Sequence, residues 1–180
     1  MDIGLQPGRY VIAVSGGVDS VVLLHVLHSR PDVELVVAHF DHGIRSDSQE
    51  DRQLVQTLAE RYGLPFVYKE GKLGTDVSEA VARDARYSFL RDVMLEHRAQ
   101  SIITAHHQDD AVETAIINLL RGTRRKGLSA LGNRSDLARP LLHTAKQDVL
   151  SYAREHDLIW REDSTNRQET YLSNYVSHRI

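Results

Sequence analysis

Apolar residues along this chain fall into short continuous runs that alternate with stretches of helical period. Tyr10-Val11-Ile12-Ala13-Val14 is apolar throughout, as in a strand covered on both faces. Val21 to Leu27 reads as the helix that follows, and Val33 to His39 as a second strand. A helix over about Ser48 to Tyr62 carries Leu54, Val55, Leu58 and Ala59 as its apolar stripe, and Gly63 closes it. Pro65-Phe66-Val67-Tyr68 opens a third strand, and Lys69 to Thr75 is a polar loop. Asp76-Val77-Ser78-Glu79 has capping-box spacing with Asp76 as the cap. The helix it opens runs to about His97, with Val77, Val81, Ala85, Phe89 and Val93 along one face. Ser101 to Ala105 is a fourth strand. His107 to Arg121 is a helix expected to bury Ile116, Ile117, Leu119 and Leu120, and Ala145 to His156 is a last amphipathic helix. The polar tail from Trp160 fits no element, and residues 160–180 are expected to begin a linker or helical module. Strands alternating with helices predict an α/β fold, a doubly wound, mostly parallel sheet with helices on both faces, in one domain over 1–180.

Composition narrows the partners. Hydrophobic residues make up 41% and charged residues 26% of 180, as in an ordinary globular domain able to bury a core. No apolar run is long enough for a membrane span and no signal peptide precedes the first strand, so a cytoplasmic, non-membrane protein is expected. The absence of cysteine excludes disulfides, thiolate metal sites, iron–sulfur clusters and a cysteine nucleophile. With a net charge of −3, any RNA contact must come from local basic patches.

The candidate chemistry sits where strands give way to helices. Ser15-Gly16-Gly17-Val18-Asp19-Ser20 joins the first strand to the first helix. Glycines there let backbone approach a phosphate, and the helix N-terminus offers N–H groups and partial positive charge. Asp19 would repel a phosphate unless a divalent cation lay between them. The plainer account is a turn with Ser15 or Asp19 as N-cap. The string is neither G-x-x-x-x-G-K-[ST] nor G-x-G-x-x-G.

Two further clusters end strands two and four. His39-Phe40-Asp41-His42-Gly43-Ile44-Arg45 reads as a pocket-shaping loop more than a metal site, or as a turn capped by Asp41 with Gly43 at positive φ. His106-His107-Gln108-Asp109-Asp110-Ala111-Val112-Glu113-Thr114 carries more acids and histidines than a helix cap needs. His106 is placed for proton transfer or phosphate contact. Asp109 or Asp110 with Glu113 has the helical spacing to hold Mg²⁺. Arg83, Arg86 and Tyr87 share a helix flank, for which a solvated basic face is the default. Arg121-Gly122-Thr123-Arg124-Arg125-Lys126-Gly127 is a denser basic loop suited to phosphates.

The glycine string resembles the pyrophosphate loop, SGGxDS, of the ATP pyrophosphatase (PP-loop) group, which cleaves ATP between the α and β phosphates. With HFDHGIR, EAVARDARY, TAHHQDDAVET, LLRGTRRKGLSAL, RPLL and WREDSTN following in order, the chain resembles the tRNA(Ile)-lysidine synthetase family over nearly its whole length. That resemblance implies an adenine nucleotide alpha-hydrolase-like domain and a ligase reaction. ATP adenylates the C2 oxygen of the wobble cytidine in the CAU anticodon of isoleucine tRNA, and the amine of free lysine displaces AMP. Carried over residue by residue, Ser15, Gly16, Gly17, Val18, Asp19 and Ser20 would bind ATP, with His39 and Asp41 on the adenosine side. Asp19, His106 and Asp110 would act at the reacting centre, and Arg83 or Arg86 would neutralise the α-phosphate. Asp19, Asp109 and Glu113 would hold Mg²⁺, Asp110 and Glu113 the lysine, and Arg121, Arg124, Arg125 and Lys126 the tRNA. The family's C-terminal tRNA-binding domains are expected to be absent from this chain, and Ser173 and Ser177 stand where the family pattern has arginine. Two other readings stand beside it: another RNA-modifying PP-loop enzyme, of which a thiolase is disfavoured by the missing cysteines, and a nucleotide- or RNA-binding module without turnover. Dimerisation is left open by these residues.

Overall fold

The computed structural model describes residues 1, 3–43, 48–71, 77–120 and 135–161, with backbone alone at 79, 118 and 119. Five parallel strands form one sheet: β1 (Gly8–Ala13), β2 (Val33–Asp41), β3 (Phe66–Glu70), β4 (Ser101–Ile103) and β5 (Leu137–Ala138), in the order β3-β2-β1-β4-β5. The helices are α1 (Val18–His28), α2 (Ser48–Arg61), α3 (Glu79–Glu96), α4 (Gln108–Leu120) and α5 (Lys146–Glu155). The expected α/β architecture is the observed one. The two-residue β5 carries too little pattern to be read from sequence.

The sheet is covered on both sides, which is why its strands are apolar at consecutive positions. Tyr10, Ile12 and Val14 pack with Leu35, Val37 and Ile103 against α1, α2 and α5. The alternate residues Val11, Val36, Ala38 and Ile102 pack against Phe89, Leu90 and Val93 of α3. Helix α1 is buried nearly all round, with Val22, Leu23, Leu24 and Leu27 at 0% exposure.

Three helix expectations need correction. Ser78, not Asp76, caps α3, its Oγ accepting from the Val81 N–H; Asp76 lies outside the described residues. The buried face of α3 is Ala82, Tyr87, Phe89, Leu90 and Val93, while Val81 is 53% exposed. The stripe is therefore rotated from the one expected, because the face of α3 that packs on β1, β2 and β4 is the one carrying Phe89, Leu90 and Val93, with Tyr87 beside them. In α4, Leu120 is 75% exposed and Ile116 and Ile117 are half-buried. Gly63 does end α2, with φ +65° and the Leu64 N–H bonded to the Ala59 carbonyl.

Strand order reverses between β1 and β4: β1 leads outward to β2 on one side, and β4 to β5 on the other. At such a switch point the connections diverge and leave a crevice beyond the carboxyl ends of the strands.

Candidate functional site

A cleft of about 390 Å³ opens at that switch point. Of the residues expected there, Ser15, Gly17, Asp19, Ser20, His39, Asp41, Arg86, His106 and Asp110 line it. They arrive from four directions: the β1–α1 turn, the end of β2, helix α3, and the β4–α4 turn.

The β1–α1 turn is braced from within. Ser20 Oγ donates to the Gly17 carbonyl at 2.9 Å and accepts from the Ser15 N–H at 3.2 Å. Ser20 is thus committed to shaping the loop. Gly16 has φ +98°, a conformation that side chains with a Cβ rarely adopt, and Gly17 is the N-cap of α1 without a side-chain cap. The first ladder bond runs from the Val21 N–H to the Gly17 carbonyl. The preceding N–H groups of the first turn are therefore left for a ligand by the helix's own geometry.

Asp19 does not face the cleft as a bare charge. Lys146 Nζ lies 2.6 and 2.7 Å from its two carboxylate oxygens, and His107 Nε2 stands 3.7 Å from one of them. Lys146 is the first residue of α5, where a cation opposes the helix dipole. That misfit is the one local sign in the sequence that its charge serves something else, and sequence reasoning passed over it. Buried His107, read only as part of its motif, bridges the site: its Nδ1 is 3.5 Å from Asp110. Asp110 also accepts from the His107 N–H at 2.7 Å, the return half of a capping box, so its capping and cleft-lining roles coexist.

His106 projects into the cleft with Nδ1 2.9 Å from Thr104 Oγ1. Burial, with Arg139, Arg86, Arg83 and His107 nearby, drives its pKa down to about 4. It is a neutral imidazole at physiological pH, suited to hydrogen bonding and proton relay, and unsuited to neutralising a phosphate. His39, also lowered chiefly by burial, is held by the Val14 carbonyl 2.8 Å from Nδ1. Since a carbonyl only accepts, the Nδ1 position carries the proton. Its ring stacks on Tyr68 at 5.9 Å between centroids, and the Arg52 guanidinium lies over the Tyr68 ring, 4.1 Å from its centroid. Asp41 accepts from the Gly43 N–H at 2.8 Å, and Gly43 has φ +69°, so the turn expected there exists alongside the pocket wall.

Of the paired arginines, Arg86 reaches the cleft; Arg83 is exposed and is not part of its lining. The guanidiniums of Arg83, Arg86 and Arg91 all lie within 6 Å of the Tyr87 ring, at 5.0, 5.4 and 5.9 Å. Tyr87 is buried core instead of a member of a solvated flank.

The expected Mg²⁺ set does not assemble. Asp109 and Glu113 are exposed on α4 and outside the cleft lining, whereas Asp19 lies within it and is covered by Lys146. Among the described residues no three histidine or acidic side chains converge as a metal-binding group. Helical spacing brought Asp109 and Glu113 near each other but could not say that this face of α4 turns away from the β1–α1 loop. Glu113 is likewise outside the lining of the cleft that Asp110 reaches. Arg121, Arg124, Arg125 and Lys126, and Ser173 and Ser177, lie outside the described residues.

An acid in the first turn of α2, Asp51, was not foreseen as part of the site. Asp51 lines the cleft at 5% exposure, and its backbone and Cβ back onto Gly16. Beside it, Arg161 pairs with Asp51 at 2.7 Å and with Glu50, and its backbone N–H bonds the Gly16 carbonyl at 3.0 Å. In sequence, acids in a first helical turn read only as favourable to the dipole.

Residues 4–180 match the family model described as a PP-loop domain. The chain is 36% identical over 186 residues to a tRNA(Ile)-lysidine synthase of Exiguobacterium sibiricum, covering 99% of this chain and 44% of that protein. It is 40% identical over 173 residues to a tRNA(Ile)-lysidine synthase of Thermus thermophilus, covering 92% and 34%. It thus spans less than half the length of these relatives. Among solved structures, the U34-tRNA thiolase NcsA of Methanococcus maripaludis superposes with a TM-score of 0.74 at 19% identity, covering 92% of this chain and 64% of that one. An NMN synthetase of Francisella tularensis superposes at 0.57 and 15% identity, covering 85% and 63%. At such identities the likeness is one of fold.

Proposed function

The chain belongs to the PP-loop domain family, and from that premise we propose that it is a catalytic domain that uses ATP to join lysine to the wobble cytidine of a CAU-anticodon isoleucine tRNA. The observation that carries this reading is the cleft itself, where the glycine loop and α1 N-terminus face His106, Asp110 and Arg86 across the switch point. The similarity to curated tRNA(Ile)-lysidine synthases over nearly the whole chain supports the choice of substrate.

In this reading the Ser15–Ser20 loop takes the phosphates of ATP, supplied as its magnesium complex, on the first-turn N–H groups of α1. His39 and Asp41 bound the adenosine side. The cytidine C2 oxygen attacks the α-phosphorus, the bond to the bridging oxygen breaks, and pyrophosphate leaves. Arg86 faces the charge that grows on the α-phosphate. Lysine then attacks C2 through its ε-amine, AMP leaves, and the amine gives up a proton. In this reading neutral His106 would relay that proton and Asp110 would hold the lysine ammonium. The basic segment Arg121, Arg124, Arg125 and Lys126 would meet tRNA phosphates. In this reading the protein would work in the cytoplasm; no helix among the described residues is long and apolar enough to cross a membrane. A thiolase reading finds no cysteine to use in the 180 residues.

The test is incubation with MgATP labelled at the α-phosphate, lysine and unmodified tRNA. Labelled AMP together with lysine added to the wobble cytidine, seen by mass spectrometry, is the expected result. AMP without lysidine would move the substrate elsewhere, and no AMP from folded protein would favour a binding module.

A further inference from the structure

Arg161 stands apart from the residues so far assigned: it lies beyond α5, yet it touches the phosphate loop and the cleft wall at once. Its backbone N–H holds the Gly16 carbonyl at 3.0 Å, and its guanidinium pairs with Asp51 at 2.7 Å and with Glu50. Asp51 is 5% exposed, lines the cleft, and lies within van der Waals reach of the space beside Gly16. A nearly buried carboxylate in that position opposes any polyanion entering the loop, because little solvent lies between to screen it. Glu50 adds a second negative charge at the same helix end.

We propose that Arg161 is a positioning residue for ATP: it cancels the field of Asp51 and Glu50 beside the phosphate loop while its backbone sets the Gly16 carbonyl. The two actions belong to different atoms. Replacing the side chain removes the charge and leaves the backbone bond, so the electrostatic part is separable. The inference rests on the ATP-binding reading above and adds to it a residue outside the SGGVDS string. It also gives a physical reason for an arginine just after Trp160, where the chain passes the loop.

The experiment measures ATP dissociation constants by calorimetry for the wild-type chain, R161M, D51N and D51N/R161M, with thermal unfolding of each. R161M is expected to bind ATP about tenfold more weakly, and D51N/R161M within about threefold of wild type, since neutralising the acid removes what the arginine had to cancel. The double variant removes the Arg161–Asp51 pair together, and if R161M does not fold D51N carries the test: with the acid gone and Arg161 kept it is expected to bind ATP more tightly than wild type, and unchanged affinity would overturn the proposal. Unchanged affinity in folded R161M, or a folded double variant that binds as weakly as R161M, would overturn the proposal while leaving the ATP reading intact. Wild-type protein that binds no ATP would overturn that reading, and this inference with it.

Discussion

Asp19 is the residue on which the electrostatics of the cleft turn. Its carboxylate faces the place where a phosphate would lie, and Lys146 holds both oxygens at 2.6 and 2.7 Å. The pair is partly shielded from water, with side-chain exposures of 32% and 28%, so it is stronger than a surface ion pair. Removing the lysine leaves Asp19 opposing the nucleotide. Lys146→Met is therefore expected to slow AMP formation about tenfold or more, since hydrogen bonds to charged groups contribute roughly 1.5–3 kcal/mol. A steady-state assay of AMP release, with unfolding curves to confirm the fold, checks it. Wild-type turnover in the variant would make the pair an incidental contact. Gly16 makes a second residue-scale point. Its nearest neighbour in the direction of a Cβ is 3.7 Å away, so space is not what demands glycine; the φ of +98° is.

At the scale of elements, α1 has two jobs that constrain it at different places. Its N-terminus must present backbone at the cleft, and its body must anchor that terminus in the core. Leu23, Leu24 and Leu27 are fully buried against the sheet face shared with α2 and α5. A cavity there loosens the element that carries the loop. Leu24→Ala is expected to destabilise the chain by about 2–5 kcal/mol, measured by denaturant unfolding. A loss under about 1 kcal/mol would mean that α1 is less firmly packed than its burial implies. Helix periodicity failed in α3 and α4 for a related reason. Both have apolar residues on more than one side, and only the tertiary packing of each helix decides that Val81 and Leu120 face outward while Tyr87 faces in.

At the scale of the whole molecule, several histidines are held neutral by the fold. His106 has its pKa driven to about 4, and His39 and His25 are also lowered, each chiefly by burial. Around His25 of α1 lie His28 of the same helix, Arg61 at the end of α2 with Tyr62 just beyond it, and Tyr152 of α5 with the C-cap His156, with Glu155 near Tyr152. A base with a lowered folded pKa binds fewer protons in the folded than in the unfolded chain. Its contribution to stability is full above the unfolded value of 6.5 and is lost as pH falls toward the folded value. The thermal midpoint is accordingly expected to drop by several degrees between about pH 7 and about pH 5. His106→Gln should flatten part of that slope; a midpoint independent of pH in this window would contradict the burial-driven shifts.

Much of this was legible in the order of residues. Continuous apolar runs mark strands covered on both faces, and glycines at Gly43 and Gly63 mark positive φ, because those signals depend on a residue and its immediate neighbours. The SGGVDS string marks the loop for the same reason. What the sequence could not express is distance between residues remote along the chain. Lys146 meets Asp19 across 127 positions and Arg161 meets Glu50 across 111. Asp109 and Glu113, near in sequence to the site, turn away from it. The local pattern determines which elements form and which ends carry chemistry. The tertiary packing alone decides which charges share a cleft, because the sheet order and the rotation of each helix about its axis are set by how the apolar faces fit together.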